Sequence, residues 1–462
     1  MKSEYILNKK MIQFWSDPDN GIFLLINHMW RQKDELERYG LRLYYQEVSE
    51  EEYNLLVNSQ QNNNLAYMYK INEKLFQRLL KYKYIIAKDE ATLFQPVWFS
   101  QASQYFYKYL MMKYSLEYPS LPSRVLLLPT LRCYGDCVFC ITNSKMIKIA
   151  NELSACDWKF ITNEILKFWN PLSIDIVGGE PLIKMDSIQA ILKQLKNKST
   201  IVKLITNGEL ITEDSISILK EALSNLNHNI QISFDSSNRD IFNSIRKNVN
   251  YDKVINGINL LNENHLNFGI NFTVCKINYS TIESTINFIS KYNPKYFTIG
   301  PLQVSKKDKT KCESILIDDT EEQRLRKLLN KMSKKYPKIF FKYDKQESVY
   351  LNNAPSNSIK EFHRCTGFYE EITIMPNGKY CPCLRATSYD SLIGTDVRNE
   401  DLTQIWKNSN LANLYRNIKV TGKCKICEYN SVCNLGCPID NYIVNNKFGG
   451  ENPYCSYRRE LV

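Results

Sequence analysis

Histidine is scarce in this chain, with four among 462 residues. That argues against a metal centre organised by imidazoles, which needs several ring nitrogens brought to one point. Long apolar runs are missing too. None approaches the roughly 18 residues a membrane-spanning helix needs, and the early stretch GIFLLINHMW is too short and ends too polar for a secretory signal. The expectation is a cytosolic protein with no membrane partner, its thiols kept reduced. Residues 1 to 95 lack an excess of positive charge, carrying 13 Lys and Arg against 13 Asp and Glu. Nucleic acid is therefore not expected as a partner at that end. The formal charge of the whole chain, +11, counts every cysteine as neutral. Metal-bound thiolates would lower it by several units, which weakens any argument from the basic balance.

Cysteine is what the chain has in excess, with fourteen. In a reducing compartment, clustered cysteines hold metal more often than they pair. Three of them, Cys133, Cys137 and Cys140, crowd into LRCYGDCVFCITN (131 to 143), and others gather in the last hundred residues. Cys156, Cys275 and Cys312 match no spacing and read as buried or incidental thiols.

A repeat occupies the centre. β-Branched and apolar runs recur at 124 to 129, 172 to 177, 201 to 206, 229 to 235, 268 to 274 and 295 to 300. Amphipathic segments lie between the later ones, such as DWKFITNEILKFWN, whose Trp158, Ile161, Ile165 and Phe168 share one helical face. Strands and helices alternating at about 30 residues predict βαβ units and a parallel sheet. Six units make an α/β partial barrel, and active sites sit in the loops after such strands. The cysteine triplet falls just after the first strand. Three thiolates are one short of saturating a 4Fe-4S cluster, which leaves an iron for a small molecule bearing an amino group and a carboxylate. A zinc knuckle would need a fourth ligand, and no His or Cys stands nearby to supply it.

Cys133-x3-Cys137-x2-Cys140, with Phe139 before the last cysteine, resembles the signature of the radical S-adenosylmethionine (SAM) superfamily. GGEP at Gly178, Gly179, Glu180 and Pro181 ends the second strand, and TNG at Thr206, Asn207 and Gly208 closes the third, as in that family. The resemblance implies a (β/α)6 TIM-like partial barrel over 121 to 305 and a 4Fe-4S cluster on the triplet. SAM would be received by the GGEP carboxylate and carbonyls, and Ser233, Asp235 and Arg246 resemble the polar set that meets its ribose and carboxylate. Reductive cleavage would yield a 5′-deoxyadenosyl radical that takes hydrogen from substrate, and a closed, dry interior keeps it on target.

The carboxy-terminal spacing, Cys365-x12-Gly378-x4-Cys383, then Cys424-x2-Cys427-x5-Cys433-x3-Cys437 and x17 to Cys455, resembles a SPASM domain over 361 to 462. The resemblance implies two auxiliary 4Fe-4S clusters, three in all: an outer one on Cys424, Cys427, Cys433 and Cys455, and an inner one on Cys365, Cys383 and Cys437. Cys381 stays open as a fourth inner ligand, and zinc is the rival occupant of the Cys-x2-Cys pairs. Asn377-Gly378 predicts a hairpin turn. DDTEEQRLRKLLNKMSKK, in a bridge over 306 to 360, predicts a helix suited to its own dipole.

Residues 1 to 95 predict a strand in YGLRLYYQEV, a helix capped by Ser49 and Glu52, and a second helix in INEKLFQRLLKYKYIIA. This resembles a winged-helix-like recognition element for peptide leaders, joined by a linker over 96 to 120; a plain helical cap is the alternative. Together the resemblances imply an enzyme that crosslinks a ribosomally made precursor peptide, through a thioether or a carbon-carbon bond, with a flavodoxin or ferredoxin as reductant. Within the enzyme class, sulfatase maturation is the alternative. Its family places Asp after the cysteine of Gly-x4-Cys, where this chain has Leu384. Quinone-cofactor maturation stays open. From another class, a non-catalytic iron-sulfur carrier would gain from a fourth ligand and no open iron.

Overall fold

Alternate Val, Ile and Leu bury one face of each central strand under helices and leave the other face looking into a concave space. The computed structural model describes residues 5–7, 12–27, 44–62, 72–81, 84–87, 118–146, 151–196, 198, 200–224, 228–304, 309–343, 365–427, 430, 436–453 and 455. Cys433 and most of the linker lie outside these residues, as do residues 39–43 of the expected first strand.

The amino-terminal module contains β1 (Tyr5–Leu7), β2 (Ile12–Asp17), β3 (Ile22–Asn27), β4 (Tyr44–Glu47) and β5 (Ile85–Ala87). β2, β3 and β4 make an antiparallel sheet, and two helices, α1 (Glu50–Asn62) and α2 (Glu73–Lys81), accompany it. The expected capping box is present: the Ser49 hydroxyl accepts from the Glu52 N–H, and Glu52 accepts from the Ser49 N–H. The second helix is shorter than its sequence suggests. It ends at Lys81, and Ile85–Ala87 becomes β5, paired antiparallel with β1. Adjacent β-branched Ile85 and Ile86 favour a strand once β1 offers the partner. Phe14, Leu25, Tyr53, Leu56, Leu79 and Tyr84 form this module's own apolar core. Buried Asp17 ties the module to the rest by accepting from the Ser120 N–H and hydroxyl at 3.2 and 2.5 Å.

Six strands occupy the expected stretches: β6 (Arg124–Leu127), β8 (Ser173–Ile176), β9 (Ile201–Thr206), β10 (His228–Ser233), β12 (Phe268–Val274) and β13 (Tyr296–Pro301). The two-residue β7 (Asp136–Cys137) and β11 (Arg246–Lys247) pair with each other. β14 (Phe340–Tyr343), β15 (Glu371–Ile374) and β16 (Tyr380–Cys381) extend the main sheet, whose order is β14-β13-β12-β10-β9-β8-β6-β15-β16. Every neighbouring pair from β14 to β15 is parallel. The cysteine-rich carboxy-terminal segment therefore enters as a strand of the central sheet, Glu371 opposite Arg124. The hairpin β15–β16 turns at Gly378, whose φ of +82° suits a residue without a side chain.

Ser154 and Asp157 cap α3 (Ala155–Phe168), the helix expected there, and Trp158, Ile161 and Ile165 are buried. Phe168 is exposed instead. The next residue, Trp169, takes the inward place, its indole donating to the Leu402 carbonyl at 3.1 Å. The expected bridge helix runs over Asp319–Lys335 with an Asp318/Glu321 capping box. At the amino-terminal end of the strands, Arg124 donates to Asp175 and to Glu371, a buried ionic closure. Beside it the Asn229 amide donates to the Tyr296 hydroxyl at 2.8 Å.

Candidate functional site

At the carboxyl end of β6 the chain turns back over itself, and the β7–β11 ladder pins the turn by setting Cys137 opposite Arg246. The sulfurs of Cys133 and Cys137 each lie 3.6 Å from where a Cβ on Gly135 would stand. Cys140 follows, its N–H donating to the Cys137 carbonyl, its thiol 3.4 Å from the Thr142 hydroxyl. Burial pushes the Cys133 thiol up to about 12 and raises Cys137, on which the Arg246 charge acts in the opposite sense. Among the described residues, no three of His, Cys, Asp or Glu close in tightly enough to grip a single metal ion.

The next wall comes from β10 and β11. Arg246, reaching to 3.8 Å from the Cys137 sulfur, pairs through Nε with Asp235 at 2.5 Å and lies over the Phe139 ring. Asp235 also accepts from the Thr273 N–H at 2.6 Å. Burial raises the Asp235 carboxyl, and Arg246 opposes that. Ser233 is half-buried at the end of β10, beside Asn271 in register.

GGEP presses against the cysteine loop. A Cβ on Gly178 would stand 2.2 Å from the Thr130 carbonyl oxygen, and one on Gly179 would stand 2.3 Å from that of Arg132. Neither position tolerates a side chain. The Glu180 carboxylate turns inward and accepts from the Thr206 hydroxyl at 2.7 Å, the Asn207 N–H at 2.8 Å and the Leu182 N–H at 3.1 Å. Pro181 begins the short turn that Glu180 caps. GGEP and TNG are thus stapled into one surface. Asn207 Nδ2 is buried there without a partner among the described residues, as expected of a donor waiting for a ligand. Burial pushes the Glu180 carboxyl up to about 7. A raised acid favours folding below its unfolded value near 4.5, and that contribution is lost as pH rises through 7. Glu180→Gln should flatten this part of the stability curve and, by setting amide against the Asn207 N–H, cost about 1–3 kcal/mol. Urea midpoints between pH 5 and 8 check both.

The structure adds site residues that carried no signal in the sequence. Thr130 and Arg132 share Glu152, through a 2.6 Å hydrogen bond and a 3.2 Å ion pair, and hold the loop's entry. Cys275 and Cys312 are buried in an apolar cluster with Val138 and Phe139, whereas Cys156 is exposed.

Two further thiol groups lie in the carboxy-terminal segment. Burial raises the Cys365 thiol most, and the nearby Cys437, Cys383 and Glu371 add to that, so the three thiols lie in one neighbourhood. Arg385 donates to the Cys437 sulfur at 3.1 Å. Cys381 is fully buried, with its thiol turned to the Cys383 carbonyl at 3.4 Å. Cys424 feels Cys455 and Cys427.

Residues 127–289 match the family model described as the Radical SAM superfamily, and residues 365–434 match SPASM, an iron-sulfur cluster-binding domain. The AdoMet-dependent heme synthase of Methanosarcina barkeri is 26% identical over 344 residues, 71% of this chain and 95% of that protein. The PqqA peptide cyclase of Bradyrhizobium diazoefficiens is 22% identical over 339 residues, 73% of this chain and 86% of that protein. Streptococcus suis SuiB, solved bound to the precursor peptide SuiA, aligns with a TM-score of 0.68 at 18% identity, covering 98% of this chain and 100% of that one.

Proposed function

Because the chain belongs to the radical SAM superfamily and carries a SPASM iron-sulfur domain, we propose that this enzyme installs an intramolecular crosslink in a ribosomally made precursor peptide. Cys133, Cys137 and Cys140 would hold the SAM-binding 4Fe-4S cluster; Cys365, Cys383 and Cys437 the inner auxiliary cluster; Cys424, Cys427, Cys433 and Cys455 the outer one. When bound, these groups and SAM supply a 5′-deoxyadenosyl radical and a one-electron sink. The chain's own residues do the rest. Glu180 locks the two strand-end loops, the Asn207 amide and the GGEP carbonyls offer polar contacts to the methionine end, and the Arg246–Asp235 pair fixes the wall opposite Cys137. On the concave face, Ser233, Asn271, Thr298 and Lys342 stand in one register row across four strands, a polar wall for the peptide segment that reaches the radical.

The observation that carries this reading is the docked amino-terminal module. It has a three-stranded sheet with an edge strand, β4, to which an extended leader can add. SuiB, solved bound to a precursor peptide, matches over nearly the whole chain, this module included. A heme-type substrate has no use for a strand edge. Leu384 after Cys383 weighs against sulfatase maturation. Thirteen described cysteines are free thiols, which suits the cytoplasm, and exposed Lys423 and Lys425 beside Cys424 suit an acidic reductant such as a flavodoxin or ferredoxin.

The reading predicts a short precursor peptide encoded beside the gene, and the test is turnover of that peptide with SAM and dithionite. A mass loss of about two hydrogens with one 5′-deoxyadenosine per crosslink is expected. An unchanged peptide mass with ample 5′-deoxyadenosine overturns the proposal.

A further inference from the structure

Two donors converge on the inner thiol trio, and neither belongs to any cysteine motif. Arg385 lies two residues after Cys383 in a short helical turn. One guanidinium nitrogen donates to the Cys437 sulfur at 3.1 Å; the other donates to the Val304 carbonyl and pairs with Asp440, each at 2.8 Å. With its fork fixed on three sides, the charge cannot swing away from the sulfur. Tyr415 approaches from another helix, Asn410–Arg416. Its side chain is 1% exposed and its hydroxyl has no hydrogen-bond partner among the described residues. After burial, the charges acting on that hydroxyl are those of Cys383, Cys365, Cys437 and Cys381. A buried O–H without a described acceptor, near enough to feel four thiols, has a proton left to donate to the group those thiols would hold.

We propose that Arg385 and Tyr415 are positioning residues for the group held by Cys365, Cys383 and Cys437, donating hydrogen bonds to its sulfurs and raising its affinity for an electron. This rests on the trio being an iron-sulfur ligand set. Hydrogen bonds and positive charge at cluster sulfurs favour the reduced form, and in a buried enclosure solvent does little to damp either. The inner centre would thereby be suited to accept the one electron that a substrate radical closing a bond must give up. A strut between the Val304 segment and the carboxy-terminal helix would use the same contacts to Val304 and Asp440, but would leave the potential alone.

The experiment is an anaerobic redox titration of the full-length reconstituted protein, followed by electron paramagnetic resonance, with the inner signal assigned by its loss in Cys365→Ser. Arg385→Met should make that centre about tenfold harder to reduce, a downward shift of about 59 mV for one electron. Arg385→Lys should recover part of the shift. Tyr415→Phe, which removes only an unpartnered hydroxyl, should cost about threefold, near 28 mV. The SAM-responsive signal should not move. Both substitutions titrating at the wild-type potential with full iron content would overturn the inference while leaving the proposed function intact. Wild-type protein with no signal lost in Cys365→Ser would overturn the ligand set and the inference together. Should Arg385→Met shed iron, Tyr415→Phe decides.

Discussion

Replacing Cys133, Cys137 and Cys140 together by alanine should remove about four irons per chain and abolish 5′-deoxyadenosine formation, while iron proposed to sit on the carboxy-terminal thiols should remain. Of the other described thiols near the loop, Cys312 points to the Val138 carbonyl at 3.8 Å and Cys275 is packed in the same apolar cluster, and neither belongs to the triplet. Nor can Arg246 stand in, since it is bound to Asp235. Iron and sulfide analysis of anaerobically prepared protein, beside nucleoside quantitation, checks both parts. Full iron content in the triple variant would remove the chemical basis of the site. The fold itself should survive, because the loop's anchors are backbone hydrogen bonds from β7 to β11 and from the Cys133 N–H to the Lys145 carbonyl.

Arg124→Met is the substitution with the largest expected cost to stability, about 3–5 kcal/mol at pH 8. It leaves two carboxylates, Asp175 and Glu371, buried beside one another without their shared cation. Methionine fills similar volume, so the loss is electrostatic. Burial already raises the Glu371 carboxyl above 4.5 against the pull of Arg124. Without that pull it rises further, and a raised acid favours folding at low pH and loses that contribution as pH climbs. The cost should therefore shrink between pH 8 and pH 5.5 in urea unfolding, and adding Glu371→Gln should recover part of it at pH 8. An equal cost at both pH values would make it a packing defect.

Legibility in the sequence followed interaction range. The six central strands, the Ser49 and Ser154 helix starts and the Gly378 turn rest on contacts within a few residues or on alternation along one strand, and the structure contains them. The segment at 85–87 continues a helical pattern in the sequence, and it is a strand because its partner, β1, comes from about eighty residues away in the chain. Phe168 was misplaced because a helix's last turn is aimed by what it packs on, here the Leu402 segment that receives Trp169. Glu180, chosen for its motif, turned out to bind Thr206 and Asn207, a contact no spacing announces.

The cysteine spacings, the strand repeat and the glycines of GGEP and TNG determined by themselves which chemistry this chain is equipped for, since ligand identity and backbone freedom are properties of residues. Tertiary structure alone decided which charges meet the thiols. Arg246 reaches Cys137 across 109 positions, and Arg385 reaches Cys437 across 52. Those meetings depend on the parallel sheet bringing distant strand ends to one rim, and electrostatic energy depends on distance in space, which linear order does not encode.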